Sequence, residues 1–162
     1  GFDMALTMLL NIISTAAVGL IFGMVFESIA FLVCYIPLRS YAGGYHSETP
    51  QRCYFLSLAM IAAVLAALKF LPFGAAGYAV FMAAGVALCA LLSPVEDHNK
   101  PLDEAEVRVY RRRALTILAA EVCIWAVTGL MLRFKCGLIP MSVFTEGLML
   151  AAGRIKNARL KK

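Results

Sequence analysis

The stretch MALTMLLNIISTAAVGLIFGMVFESIAFLVCYIPLRSY, residues 4–41, decides the fold. It is apolar over most of its length and is interrupted by Gly19, Gly23 and Glu27. A single α-helix of that length would exceed about 50 Å, well beyond a bilayer hydrocarbon core of about 30 Å. The stretch therefore predicts two membrane spans joined by a tight turn near Gly23 to Glu27. Asn11, Ser14 and Thr15 in the first span are expected to face other helices, where their hydrogen bonds can be satisfied. Glu27 reads as an interfacial carboxylate near a helix N-terminus.

The rest of the chain extends the pattern. Hydrophobic residues make up 62% of the sequence, charged residues 15%, and the mean hydropathy is +0.81. A soluble domain would carry roughly 45–50% apolar and about 25% charged residues, so an integral membrane protein is expected. Cys53 to Leu71 is a third apolar run, closed by Leu71-Pro72-Phe73-Gly74, and Ala75 to Leu92 is a fourth, rich in Ala and Gly and suited to close helix packing. Ser93-Pro94 stops it. The charged segment 95–113 follows, with Asp103 and Glu106 spaced as a capping box, so a helix is expected to begin near Asp103. Ala114 to Leu132 and Leu138 to Gly153 supply a fifth and a sixth span, and the basic tail from Arg154 to Lys162 is expected to fray. The fold class is thus all-α, a polytopic transmembrane bundle of about six spans.

Charge and cysteine content narrow the function. The net charge is +5, but the basic residues sit at the ends of apolar spans and no aromatic-basic module is present, which argues for a lipid bilayer rather than nucleic acid as partner. Twelve of the fifteen Lys and Arg residues lie in the loop after span two, the loop after span four and the tail, while Lys69, Arg133 and Lys135 lie at the opposite ends. The positive-inside rule then puts both loops and both termini in the cytoplasm of a multi-pass cell-membrane protein. Five cysteines, at 34, 53, 89, 123 and 136, form no CxxC pair, so neither a disulfide framework nor a zinc cluster is indicated. Cys34, Cys89 and Cys123 lie within apolar runs and are expected to be small core residues. His98 reads as a surface loop residue without a second ligand at metal-binding spacing, and no metal or cofactor is expected. The first apolar run is too long for a signal-peptide core and lacks a basic flank.

One loop gathers chemistry: Arg39-Ser40-Tyr41-Ala42-Gly43-Gly44-Tyr45-His46-Ser47-Glu48-Thr49-Pro50-Gln51-Arg52-Cys53. A thiolate is a strong nucleophile when an imidazole takes its proton and a positive environment holds its charge. In an unbroken helix His46 and Cys53 would stand about 10 Å apart along the axis, too far for proton transfer, so the pairing requires a bend. Pro50 predicts a helix start with Thr49 as N-cap, which puts Cys53 near the first turn beside Arg52. Gly43-Gly44 supply the backbone freedom for folding back. The alternative is that both residues serve packing or the surface. Two readings also stand for Arg111-Arg112-Arg113, anchorage to anionic headgroups or binding of an acidic peptide segment. Glu121, inside the fifth span, calls for either a function or a polar partner, and Glu146 raises the same question.

Arg39, Gly43-Gly44, His46 and Cys53, followed by Pro94-Val95-Glu96-Asp97-His98-Asn99-Lys100-Pro101-Leu102, resemble the accessory gene regulator protein B (AgrB) family of membrane cysteine endopeptidases. The first motif is fairly specific and the second looser, and the apolar segments fall in the family's order over most of the chain. The resemblance implies one membrane peptidase domain over residues 1–162, with the family's amphipathic N-terminal segment missing ahead of it. It also implies an activity: cleavage of the C-terminal tail of an AgrD-like precursor peptide in quorum sensing, with formation of a cyclic thiolactone or lactone. By position, His46 and Cys53 match the catalytic pair, with Arg39, Gly43 and Gly44 as supporting motif residues. The third group that would orient His46 is not identified, although Glu48 is near in the chain. The resemblance leaves room for a homodimer. A small transporter, which would use buried carboxylates such as Glu121, and a noncatalytic membrane scaffold are the alternatives.

Overall fold

A computed structural model describes residues 2–45, 47, 49–71, 73–96, 102–131 and 137–160, with side chains for these except residues 2–8, 50, 130 and 131. Among the described residues the six expected spans fall on six helices: α1 (Phe2–Phe22), α2 (Val25–Ala42), α3 (Pro50–Phe70), α4 (Ala75–Leu92), α5 (Glu104–Met131) and α6 (Leu138–Leu160). Among the described residues no strand forms, and the one isolated bridge pairs Gly43 with Val95 in parallel. Helices α2, α3, α4 and α6 are long and apolar enough to cross a bilayer, and α1 adds a shorter apolar helix over Leu9–Phe22. The protein is a multi-pass helical membrane protein.

The chain divides into two compact units, Gly1–Val33 with Ser47–Pro72, and Cys34–His46 with Phe73–Lys162. The division falls inside α2, one turn before Pro37. Proline has no N–H to return to the carbonyl of Val33, so the helix loses a rung there.

In the first unit the turn after α1 closes as a Schellman motif. Gly23 takes a φ of 67°, its N–H reaches Leu20 O at 3.0 Å, and Met24 N–H reaches Gly19 O at 2.7 Å. Gly19 is needed for a second reason, because a Cβ there would stand 2.4 Å from Ser28 Oγ on α2. At the same end of the unit, Lys69 in the last turn of α3 donates to Phe22 O at 2.5 Å, satisfying a carbonyl left over at the end of α1. Ser14 hydrogen-bonds the Tyr54 hydroxyl, joining α1 to α3, as expected; Thr15 is buried, but contrary to expectation its hydroxyl has no hydrogen-bond partner among the described residues.

In the second unit α4 and α6 lie against each other on small residues. A Cβ on Gly85 would stand 2.6 Å from Phe144 N, and one on Gly147 would stand 2.9 Å from Leu88 Cβ. Backbones approach this closely in lipid because dispersion, not water exclusion, drives helix association there. Leu38, Met82, Leu118, Val143 and Leu150 are among the buried residues that form the core of this unit. Helix α5 starts as expected: Asp103 Oδ1 accepts Glu106 N–H at 2.6 Å, and Glu106 Oε2 accepts Asp103 N–H at 3.2 Å.

Two expectations are corrected. The tail does not fray after Gly153, since α6 continues as helix to Leu160. Asn157 donates to Glu96 O at 2.7 Å and Lys156 Nζ lies 5.4 Å from the Tyr45 ring centroid, so the last turns of the helix have partners that its hydropathy did not reveal. Cys34 is half-buried and Cys89 buried, but Cys123 is exposed on α5 rather than in the core. Cys136 and His98 lie outside the described residues.

Candidate functional site

The loop after α2 is fixed from its first residue. Arg39 stands in the last turn of α2, and its Nη1 and Nη2 donate to the carbonyls of Gly43 and Tyr45 respectively. A planar guanidinium presents donors in a fixed fork, so one side chain holds two carbonyls two residues apart. The same Nη1 lies 3.8 Å from Oε1 of Glu146 on α6, whose side chain is wholly buried. A buried carboxylate without such a partner would be costly, and removing one member of a buried pair typically destabilises by about 3–5 kcal/mol.

Gly43 and Gly44 adopt φ values of 79° and 124°, which side chains disfavour. Space excludes a side chain as well. A Cβ on Gly43 would meet Val95 O at 2.1 Å, and one on Gly44 would meet Arg39 Nη1 at 1.9 Å. The tight approach lets Val95 N–H reach Ala42 O at 2.9 Å and Gly44 N–H reach Val95 O at 3.3 Å. The first motif is thereby stitched to the start of the second, two segments some fifty residues apart in sequence. Tyr45 N–H donates to Met149 O on α6 at 2.9 Å, and Gly153 makes room, since its Cβ would stand 2.7 Å from the carbonyl carbon of Gly44.

Past Tyr45, His46 and Glu48 lie outside the described residues, as do Asp97 to Pro101 of the second motif. Thr49 is the N-cap of α3 at φ −124° and ψ 144°, with Pro50 in the first helical turn. Thr49 Oγ1 accepts Arg52 N–H at 3.4 Å, and Thr49 O accepts Cys53 N–H at 3.1 Å. Cys53 is therefore a half-buried, free thiol in the first turn of α3, where the expected cap lies.

The three arginines of α5 have separate surroundings. Arg111 donates to Ser93 O at 2.8 Å and to Ala90 O at 3.1 Å, so it caps the carbonyl end of α4. Arg113 lies 5.3 Å from the centroid of the Tyr41 ring. Arg112 faces two open hollows, one of about 580 Å³ with Arg108, Arg111 and Leu115, the other of about 450 Å³ with Tyr41 and Arg113. Glu121 is 6% exposed, and its Oε2 has no hydrogen-bond partner. Among the described residues no three His, Cys, Asp or Glu side chains gather as a metal site would need.

The family model for Accessory gene regulator B matches residues 1–150. The chain belongs to the AgrB family. Two curated relatives come from Clostridium perfringens, a protein of strain 13 / Type A named by likeness as AgrB-like protein 2 and one of strain SM101 / Type A named likewise as AgrB-like protein. Each is 26% identical over 137 residues, which cover 80% of this chain and 64% of the relative, so the match spans less than two thirds of their length. No solved structure matches. Membership of the AgrB family supports a role in the accessory gene regulator system.

Part of the site was missed in the sequence. The residues of α6 that touch the loop are Glu146, Met149, Gly153 and Lys156, and Asn157, on the same helical face, reaches Glu96 beside it. That spacing is a usable signal, hidden because the apolar run gives way to basic residues after Gly153.

Proposed function

We propose that this AgrB-family protein is a membrane cysteine endopeptidase that cleaves the C-terminal tail of an AgrD-like precursor peptide and promotes ring closure of the remainder. The observation that carries the reading is Cys53 in the capped first turn of α3, in a chain whose family match runs from residue 1 to 150. Cys53 Sγ attacks the precursor carbonyl while His46 takes the thiol proton. The tetrahedral intermediate collapses, the C–N bond breaks, His46 returns the proton to the leaving amine, and a thioester joins the peptide to Cys53. A thiol or hydroxyl within the peptide then attacks that thioester, closing a thiolactone or lactone ring and freeing the Cys53 thiol. For the developing oxyanion the start of α3 offers Gln51 N–H, since Pro50 has none and those of Arg52 and Cys53 are engaged by Thr49. Arg112 and its neighbours would receive the acidic part of the precursor, and the site would face the cytoplasm, where the precursor is made.

The test is co-expression with a tagged precursor, followed by a blot for the shortened peptide. Cys53→Ala should abolish cleavage, and His46→Ala should lower it by about 10²- to 10⁴-fold, the usual contribution of a general base. Cys53→Ser should be nearly inactive, whereas Cys34→Ala and Cys123→Ala should process normally. Cleavage persisting in a confirmed Cys53→Ala protein would end the reading and leave the transporter and scaffold alternatives.

A further inference from the structure

We infer that Glu146 is a positioning residue for the proposed catalytic loop, acting through Arg39, and that one face of α6 is the bed on which that loop is set. The inference rests on the cysteine-peptidase reading. It starts from a chain of contacts within one compact unit. Glu146 is wholly buried and stands 3.8 Å from the Arg39 guanidinium, whose two terminal nitrogens hold the carbonyls of Gly43 and Tyr45. Tyr45 immediately precedes His46 in the chain. Further along the same face of α6, Met149 O accepts Tyr45 N–H, Gly153 admits the Gly44 backbone, and Lys156 lies over the Tyr45 ring.

Charge explains why a carboxylate is needed at position 146. A guanidinium that satisfies two neutral carbonyls still carries its full positive charge, and with only 19% of its side chain exposed that charge is better held beside a counter-ion. Without Glu146, Arg39 would gain by turning toward water and releasing both carbonyls. The fork itself explains why an arginine is needed at 39, because a lysine ammonium is a point charge that lacks the planar pair of terminal nitrogens. Glu146 thus fixes where the backbone stands one residue before the proposed general base. It touches neither substrate nor thiol, and its effect is on orientation.

The experiment uses the full chain in detergent or proteoliposomes with a tagged precursor, and reads kcat and KM together with the alkylation rate of Cys53 by iodoacetamide at neutral pH. Glu146→Gln should lower kcat by about ten- to a hundred-fold with KM little changed, the scale expected when a reacting group is misplaced by about 1 Å. Cys53 alkylation should slow in parallel, which a loss of properly folded molecules alone would not produce once rates are normalised to folded protein. Arg39→Lys should behave like Glu146→Gln, and the double variant should be no worse than the weaker single, because both changes release one clamp. Glu146→Asp, which restores the charge, should recover part of the rate. Asn157→Ala removes a single hydrogen bond at the open end of the same face, and should lower kcat by roughly two- to ten-fold without threatening the fold. Wild-type rates in both Glu146→Gln and Asn157→Ala, with Cys53→Ala inactive, would overturn the positioning role and leave the peptidase reading standing. Wild-type processing by Cys53→Ala would sink the peptidase reading first, and the inference with it.

Discussion

Helices α3 and α6 are both apolar enough to cross a membrane, yet they are buried in opposite senses. The more apolar of the two, α3, has a mean hydropathy of 2.0 and only 17% of its span buried, whereas α6 has a mean hydropathy of 1.3 and 61% of its span buried. In water the order would be reversed, with the greasier helix hidden. Phe55 is 65% exposed on α3, while Ser142, Thr145 and Glu146 are buried on α6. Lipid supplies apolar contact at no cost to α3, so what needs enclosure by protein is the helix that carries polar groups. The buried polar groups are also where the candidate site acquires its anchor, since Glu146 holds Arg39 and Met149 O holds Tyr45.

The contrast predicts unequal costs for similar changes. On the enclosed helix, Leu150→Ala removes a side chain with no exposed area from a packed core and should destabilise the protein by about 2–5 kcal/mol, measured by unfolding in mixed micelles. A cost below about 1 kcal/mol would mean that α6 is not the packed centre of its unit.

Ala63 tests the other side. It is exposed midway along α3, and in a soluble protein an arginine there would be nearly neutral. Facing hydrocarbon, Ala63→Arg should raise the free energy of inserting α3 by about 2.5–3.5 kcal/mol, visible as loss of insertion in a glycosylation-reporter assay. Unchanged insertion would show that this face meets water or polar protein instead of lipid.

What was legible in the sequence follows the same division. Local signals placed the elements: Gly23 for the turn after α1, Thr49-Pro50 for the start of α3, Ser93-Pro94 for the stop of α4, and Asp103 with Glu106 for the start of α5. Each works within a few residues through backbone angles or a missing N–H, so it needs no knowledge of the rest of the fold. The site was legible where its features are local, as with Cys53 in a first helical turn. Its support was not, because Gly43 against Val95, Glu146 against Arg39 and Arg111 against the end of α4 are contacts between distant segments. Hydropathy also misled at the end of α6, where the basic run after Gly153 reads as solvent-exposed tail although Lys156 and Asn157 are engaged with Tyr45 and Glu96. Arg111 reads in the sequence as a headgroup anchor or a contact for an acidic peptide for the same reason, since no local pattern reveals the carbonyls of Ala90 and Ser93 that it caps.

The finest version of the comparison lies within α6 itself, between two leucines two residues apart. Leu150 has no exposed surface and Leu148 is 48% exposed, so they occupy opposite sides of one helix with identical side chains and similar depth in the membrane. Leucine and alanine differ little in helix propensity, which removes the backbone from the account. Leu148→Ala exchanges contacts with lipid tails for contacts with lipid tails, apart from the half of the side chain that rests on protein. The expected loss is below about 1 kcal/mol, against about 2–5 kcal/mol for Leu150→Ala measured in the same micelles. If the two cost the same, the Leu148 face is covered by protein, and a second copy of the chain becomes the natural candidate to cover it. Cross-linking through a cysteine placed at residue 148 would then separate the cases, because a symmetric interface brings the same residue of two copies together.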